Sequence, residues 1–494
     1  MVAVLDTAAL TGFHRGLFSV SAEDDCVYLI ADAGAIPLPR TRVLTTLDDA
    51  ELSPIGADWG PMLMAPASPV AVGNTQFEGR LGGLYHGESG KFFIDGAHGL
   101  IAGPVVFDMM REVLDSRITF TGDNKRTYFD SAGVMQTATT NVPRFNYEYN
   151  GTSWVAAGLL IEPAATNLLL RSTAFNTGWT ASGATVTGNS TTAPDGTTTA
   201  DTIVENASTS THGVYQAATL TAATYTYSVF AKAGTRSWLF LTCTPSSAFG
   251  AYFNLSDGTV GTVTAGYTAT ISAVGNGWYR CAISFTATAA TWYSNVLVAT
   301  SNGTSSYTGD GASGLYAWGA QLEAGSVATS FIETTTATAT RAADVASITG
   351  SNFSSWFNPV EGTFVAEFTP ALVSDQSTVF SVSDGTTNER MHSSAGGSIH
   401  FYVVDGGAAQ VSIDAGSHVA NTSRKIAAAY KVNDFAASIN GGAAVADTSG
   451  TLPTVDRLNI GSFTSGNLQL NGHIARITYS PTAYYGAALQ SLTV

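Results

Sequence analysis

The stretch Thr224–Gly234, TYTYSVFAKAG, decides the fold. Its side chains alternate, with Tyr225, Tyr227, Val229 and Ala231 on one face. A period of two with aromatic and β-branched residues on the apolar side marks a strand with one buried face. The sequence around it repeats the theme. GAYFNLSDGTVGTV (residues 250–263) reads as a hairpin turning at Asp257-Gly258, a dipeptide suited to tight turns. GNGWYRCAISFTAT (275–288) turns at Asn276-Gly277 and then sends Tyr279, Cys281, Ile283 and Phe285 inward. GLYAWGAQLE (314–323) closes the set. Several short alternating strands separated by turns predict a β-sandwich of jelly-roll type.

Composition agrees. The chain has 494 residues, of which 45 % are hydrophobic and only 12 % charged. That charged share is about half the usual one, and Gly, Ser, Thr and Ala take its place. Such a balance suits extended structure and neutral hydrogen bonding better than helical surfaces, which recruit Lys, Glu and Arg. About three domains are expected from the length. A net charge of −16 excludes nucleic acid as the expected partner, because phosphate contacts need Lys and Arg. The opening MVAVLDTAALTGFHRGLF has no basic leader and no sustained apolar core, so no signal peptide is expected. No 18 uncharged apolar residues run together, so no membrane-spanning helix is expected either.

The fold class expected is all-β: two tandem β-sandwich domains preceded by an irregular, mixed N-terminal anchoring region. Residues 1–120 hold acidic clusters (AEDD, LDDAE) and Pro-interrupted stretches, and PVVFDMMREVLD (104–115) is the best helix candidate. Residues 121–345 form the first sandwich. TTTATATRAADVAS (334–347) is low-complexity and lacks aromatic residues, so it reads as a linker. Residues 350–494 form the second sandwich. There RKIAAAYKV (424–432) puts Ile426, Ala428, Tyr430 and Val432 on one face and Lys425 and Lys431 on the other, the pattern of a half-buried antiparallel strand.

The middle region resembles a module of tailed-bacteriophage virion proteins found in head spikes and tail fibres. The resemblance spans about 125–348 and rests on RTYFDSAGVMQTATTNVPRFNYEYN, GLLIEPAATNLLLRSTAFNTGWT, APDGTTTADTIVE, YTYSVFAKAG, GNGWYRCAISFTA and YTGDGASGLYAWGAQLEAGSVATSFIETT, in that order. This module is similar to carbohydrate-binding jelly rolls. Residues 350–494 resemble a concanavalin-A or laminin-G-type lectin sandwich at the level of fold, with LNGHIARITYSP (470–481) as its closing strand. The resemblance implies a virion surface subunit assembled in the host cytoplasm. Its partners would be other virion proteins, of capsid or of tail and baseplate, and host-surface glycan. It also implies a homo-oligomer, trimeric on a tail or pentameric at a head vertex.

Reactive chemistry is thin. A glycosidase needs two carboxylates facing the scissile bond, and GTFVAEFTP (362–370) offers only Glu367, on the polar side. There is no G-x-S-x-G elbow, no phosphate loop and no Cys/His cluster. No catalytic residue and no cofactor is therefore assigned. Acid-plus-glycine turns such as YTGDGASG offer oxygens to calcium, and the resemblance admits a structural calcium without assigning its ligands. Of three cysteines, Cys243 and Cys281 share faces with apolar neighbours and read as buried thiols, with a bridge between them left open. Sugar binding remains. Pyranose faces stack on aromatic rings, and Trp238, Trp292, Tyr293, Tyr316 and Trp318 are the rings placed for it, against the common alternative that such rings fill cores. A depolymerase and a purely structural decoration protein are the competing readings.

Overall fold

A computed structural model describes five short strands within residues 1–103 (17–20, 26–31, 34–39, 84–86 and 91–94) and residues 104–494 apart from 246–248, 373–376 and 464–467. The five strands form one antiparallel sheet. The expected anchoring role falls mostly on residues outside those described, and so does the environment of Cys26. Elsewhere the chain is almost entirely β.

Two sandwiches follow, but strand pairing divides the chain differently from the sequence reading. One sandwich is split. Its eight-stranded sheet joins Phe145–Tyr149 and Trp154–Ile161 to Gly472–Ser480, Glu361–Pro370, Arg424–Lys431, Phe435–Ile439 and Val445–Asp447. Val105–Asp108 also pairs with Gly472–Ser480. The facing seven-stranded sheet is built from Ala408–Ser417, Ser398–Asp405, Arg390–Ala395, Thr378–Ser383 and Arg457–Ile460, closed by Val345–Thr349 and Thr119–Thr121. Phe107, Phe120, Leu159 and Ile161 thus share one core with Phe364, Phe380, Phe401 and Ile474. Each such side chain contributes about 1.5–3 kcal/mol on burial, so the strands at 105–108, 119–121, 145–149 and 154–161 belong to this sandwich, while Arg126–Phe129 and Met135–Ala138 pair with each other as a separate hairpin.

The other sandwich is inserted between Ile161 and Val345. Its six-stranded sheet runs Ala184–Thr191, Ala200–Glu205, Gly314–Ala324, Ala223–Lys232, Trp278–Ala287, Tyr267–Ala273 in spatial order, facing a seven-stranded sheet from Thr180–Ser182 to Thr259–Val263. As the alternation requires, Tyr225, Tyr227, Val229 and Ala231 lie in its core with Cys281, Ile283 and Phe285. Cys243 and Cys281 are both buried and both free thiols. Burial pushes the Cys243 thiol up to about 12.

Three expectations are corrected. Residues 104–115 are not a helix: Val105–Asp108 is a strand and only Met109–Arg111 makes a 3₁₀ turn. The β-branched pair before Phe107 finds a sheet edge at Gly472–Ser480, and Glu112 enters the left-handed region at φ 57°. The supposed linker 334–347 is structured. Ala339–Arg341 pairs with Ala165–Asn167, zipping the outgoing and returning chains together, and Val345–Thr349 enters the split sandwich. The strand at Arg424–Lys431 is not half-buried. Ile426, Ala428 and Tyr430 face the core, while Ala427 and Ala429 are covered by the helix Gly486–Ser491 through Leu489.

A buried ion network closes this neck. Arg144 pairs with Glu162 at 2.7 Å and with Asp344. Arg341 pairs with Glu162 at 2.9 Å, and Arg126 reaches Asp344 at 3.4 Å. All three arginines and Asp344 are 0 % exposed. Most of the remaining lone pairs and protons are matched, the Nε atoms of Arg144 and Arg341 excepted. Glu162 accepts from the Ser330 amide at 2.5 Å and its hydroxyl at 2.6 Å. Arg126 donates to the carbonyls of Asp123, Val142 and Thr139. Despite its burial, Glu162 is held down at about 2 by Arg341 and Arg144.

Removing one partner from such a network leaves charge buried and unmatched. Glu162→Gln is expected to cost about 3–5 kcal/mol of unfolding free energy, measured by denaturant titration. Adding Arg341→Met should return part of that loss. A single variant within about 0.5 kcal/mol of wild type would contradict the assignment.

Candidate functional site

A cleft of about 440 Å³ opens where the two sandwiches meet. Its floor is the outer face of the six-stranded sheet. Alternation sends Cys281, Ile283 and Phe285 into the core and leaves Arg280, Ala282 and Ser284 facing out. The adjoining edge strand contributes Thr268, Thr270 and Ser272, all exposed, and Thr226 and Phe230 complete the floor. The opposite wall comes from the split sandwich: Asn146, Tyr147, Glu148, Tyr149 and Trp154, with Asn471 and His473 behind them.

A bulge positions that wall. Register slips between Asn146 and Tyr147, opposite Gly158, whose φ is 98°. A Cβ there would lie 2.4 Å from the Ile474 carbonyl oxygen, so only glycine lets the strand turn so close to its neighbour. Trp154 is fixed by rings, lying 4.8 Å from Phe129 and 5.5 Å from Tyr149 between centroids. The turn at Gly133 (φ 78°) passes under it, and a Cβ there would come within 2.0 Å of the indole nitrogen.

Polar groups in the cleft have distinct states. Glu162 is committed to Arg144, Arg341 and Ser330. Glu148 has a side chain 57 % exposed and sits 3.6 Å from His473 Nδ1. The Asn146 side chain bonds the Phe129 amide through its oxygen and meets His473 Nε2 at 3.0 Å through its nitrogen. Amide donation to Nε2 places the imidazole proton on Nδ1, toward Glu148. Burial holds His473 below the usual histidine range, opposed by Glu148. Arg280 donates to Ser228 Oγ at 3.1 Å and lies over the Phe230 ring at 5.3 Å.

The sequence-selected rings fall in three places. Trp292 is 6 % exposed and stacks on Phe285 in the inserted core, its N–H donating to the Thr288 carbonyl. Trp318 is 3 % exposed, packed between Phe230 and Phe331, and Tyr316 packs beside it. Trp238 and Tyr293 lie on the outer face of the seven-stranded sheet, Trp238 against Phe240 and Tyr252 and Tyr293 edge-on to Tyr215. None of the five lines the cleft. Sequence reasoning missed Tyr147, Tyr149, Trp154, Arg280 and His473. NYEYN carried a signal, since alternation puts Tyr147 and Tyr149 on one face, but nothing in the sequence shows which sheet faces it.

Among the described residues, no group of three His, Cys, Asp or Glu side chains is placed to hold a metal ion. In the YTGDGASG turn, Asp310 accepts from the amides of Ala312 and Ser313 and from the Ser313 hydroxyl. No helix among the described residues is long and apolar enough to cross a membrane.

No protein-family model matches the chain, and no curated protein matches it. Solved structures with local likeness include the CBM40 module of a Ruminococcus gnavus IT-sialidase bound to α2,6-sialyllactose, at 15 % identity and a TM-score of 0.25, covering 28 % of this chain and 85 % of that one. The NanB sialidase of Streptococcus pneumoniae is similar at 17 % identity and a TM-score of 0.26, covering 30 % of this chain and 26 % of that one. The LG1–3 region of the laminin α2 chain is similar at 14 % identity and a TM-score of 0.22, covering 56 % and 66 %.

The His473 environment makes a spectroscopic prediction. In ¹⁵N-resolved histidine spectra, His473 should show the Nδ1–H tautomer and titrate with a midpoint below 6.5. Because folding then disfavours the charged ring, this histidine destabilises the fold as pH falls from 6.5 toward that midpoint. A midpoint at or above 6.5 would contradict the geometry.

Proposed function

We propose that the chain is a glycan-contacting virion surface protein, a tail-fibre or head-spike subunit of a tailed bacteriophage, and that the cleft between its sandwiches is the glycan site. The observation that carries the binding reading is the cleft itself: aromatic rings on one wall, a row of neutral hydroxyls opposite, and volume for a few sugar rings. Tyr149 and Trp154 offer ring faces, and Thr268, Thr270, Ser272 and Ser284 offer hydroxyl pairing. The virion setting rests on the sequence resemblance of residues 125–348. In that setting the part of the expected 1–120 anchor that precedes the split sandwich's first strand at Val105 docks onto another virion protein, and symmetric copies multiply a weak site into firm attachment.

The reading is of a binder rather than a depolymerase. Two carboxylates line the cleft, but hydrolysis needs one of them protonated as a general acid. Glu162 is held at about 2 and its oxygens are taken by Arg144, Arg341 and Ser330. Glu148 is left alone to serve both roles.

Affinity electrophoresis of the full chain through gels containing host-surface polysaccharide tests this. Trp154→Ala should weaken retardation about ten-fold, the loss of one stacked ring, while Trp238→Ala on the far sheet leaves it unchanged. The reverse order would move the site to the seven-stranded sheet, and release of reducing ends during incubation would make the chain an enzyme.

A further inference from the structure

Resting on that glycan reading, we propose that the ligand carries a carboxylate and that Arg280 is the group that binds it. Arg280 sits on the cleft floor and, among the described residues, makes a single hydrogen bond of its own, to Ser228. Its Nε is buried without a partner, and among the described residues no carboxylate lies within 4.0 Å of it. A guanidinium has five donors in a planar fork, and leaving them unmatched at a half-buried site is costly. The ring of Phe230 beneath it offsets only part of that cost.

The carboxylates nearest the floor are committed elsewhere. At the neck three guanidiniums, Arg126, Arg144 and Arg341, share two carboxylates, Glu162 and Asp344, an excess of one positive charge. Glu162 and Glu323 act on Arg280 from beyond ion-pair reach. Glu323 is already taken by Thr329 and Gln321, and burial pushes its carboxyl upward. With Glu323 and the exposed Glu148 counted, the surroundings hold as many carboxylates as guanidiniums, and what Arg280 lacks among the described residues is a carboxylate within ion-pair reach. A sugar carboxylate supplies it in the bidentate geometry the fork favours. The flanking hydroxyls of Thr270, Ser272 and Ser284 then face the ring hydroxyls of the same residue.

The test is affinity electrophoresis of the full chain in gels holding polygalacturonate, alginate, hyaluronan or polysialate, against dextran, galactan and mannan. At least one acidic polymer should retard it, and carboxyl reduction of that polymer should abolish the effect. Arg280→Met should weaken retardation at least about ten-fold, with the ligand-free melting temperature unchanged or raised, since an unpaired cation has been removed. Arg280→Lys keeps the charge without the fork and should fall between the two; if Arg280→Met melts lower, Arg280→Lys decides, and unchanged retardation overturns the proposal. Retardation that survives carboxyl reduction, or persists in Arg280→Met, overturns it as well. Retardation by neutral polymers alone overturns it while leaving the glycan reading intact. Retardation by none of the panel sinks both.

Discussion

Five charged side chains buried where the chain leaves and rejoins the split sandwich hold the rest of the structure in register. Arg126, Arg144, Glu162, Arg341 and Asp344 come from four separate segments and pair with one another out of reach of solvent. Hydrophobic burial drives both sandwiches to form, but it is not directional. Two apolar cores joined by two chain crossings could rock against each other at little cost. A buried guanidinium–carboxylate network has one good geometry and a steep penalty for others. With the pairing of Ala165–Asn167 to Ala339–Arg341, it turns a double crossing into a fixed joint.

The cleft follows from that joint. Its walls belong to different sandwiches, so neither would be a site by itself. The inserted sandwich supplies hydroxyls and Arg280; the split sandwich supplies Tyr149, Trp154 and His473. Ser330 links the two levels, since its amide and hydroxyl bond Glu162 in the network while the residue lines the cleft. Cleft geometry and neck electrostatics are therefore one arrangement, which suits rigid recognition of an extended polymer.

Much of the fold was legible in the sequence because a sheet's period of two is written locally. The inward faces of Thr224–Gly234 and Gly275–Thr288, the hairpin at Asp257-Gly258 and the buried thiols all follow from alternation and turn chemistry. The insertion was not legible, because it depends on pairing between residues more than 180 positions apart, such as Glu162 with Asp344. The Thr/Ala run around Arg341 looked like a linker because low complexity hides two buried charges whose partners lie elsewhere. The rings picked from the sequence lie outside the cleft for a related reason. Alternation sorts Trp318 to the outer face of its sheet correctly, but that face is itself covered, by Phe331 and the hairpin carrying Met135. An outer face is exposed only if nothing packs on it.

Hydrogen–deuterium exchange of the full chain, with and without a retained polysaccharide, tests the central claim most directly. If the joint between the sandwiches is the binding site, protection appears together in residues 145–154 of the split sandwich and 267–284 of the inserted one. Protection confined to the seven-stranded sheet around Trp238, Tyr252 and Tyr293, with the cleft strands unchanged, would contradict it.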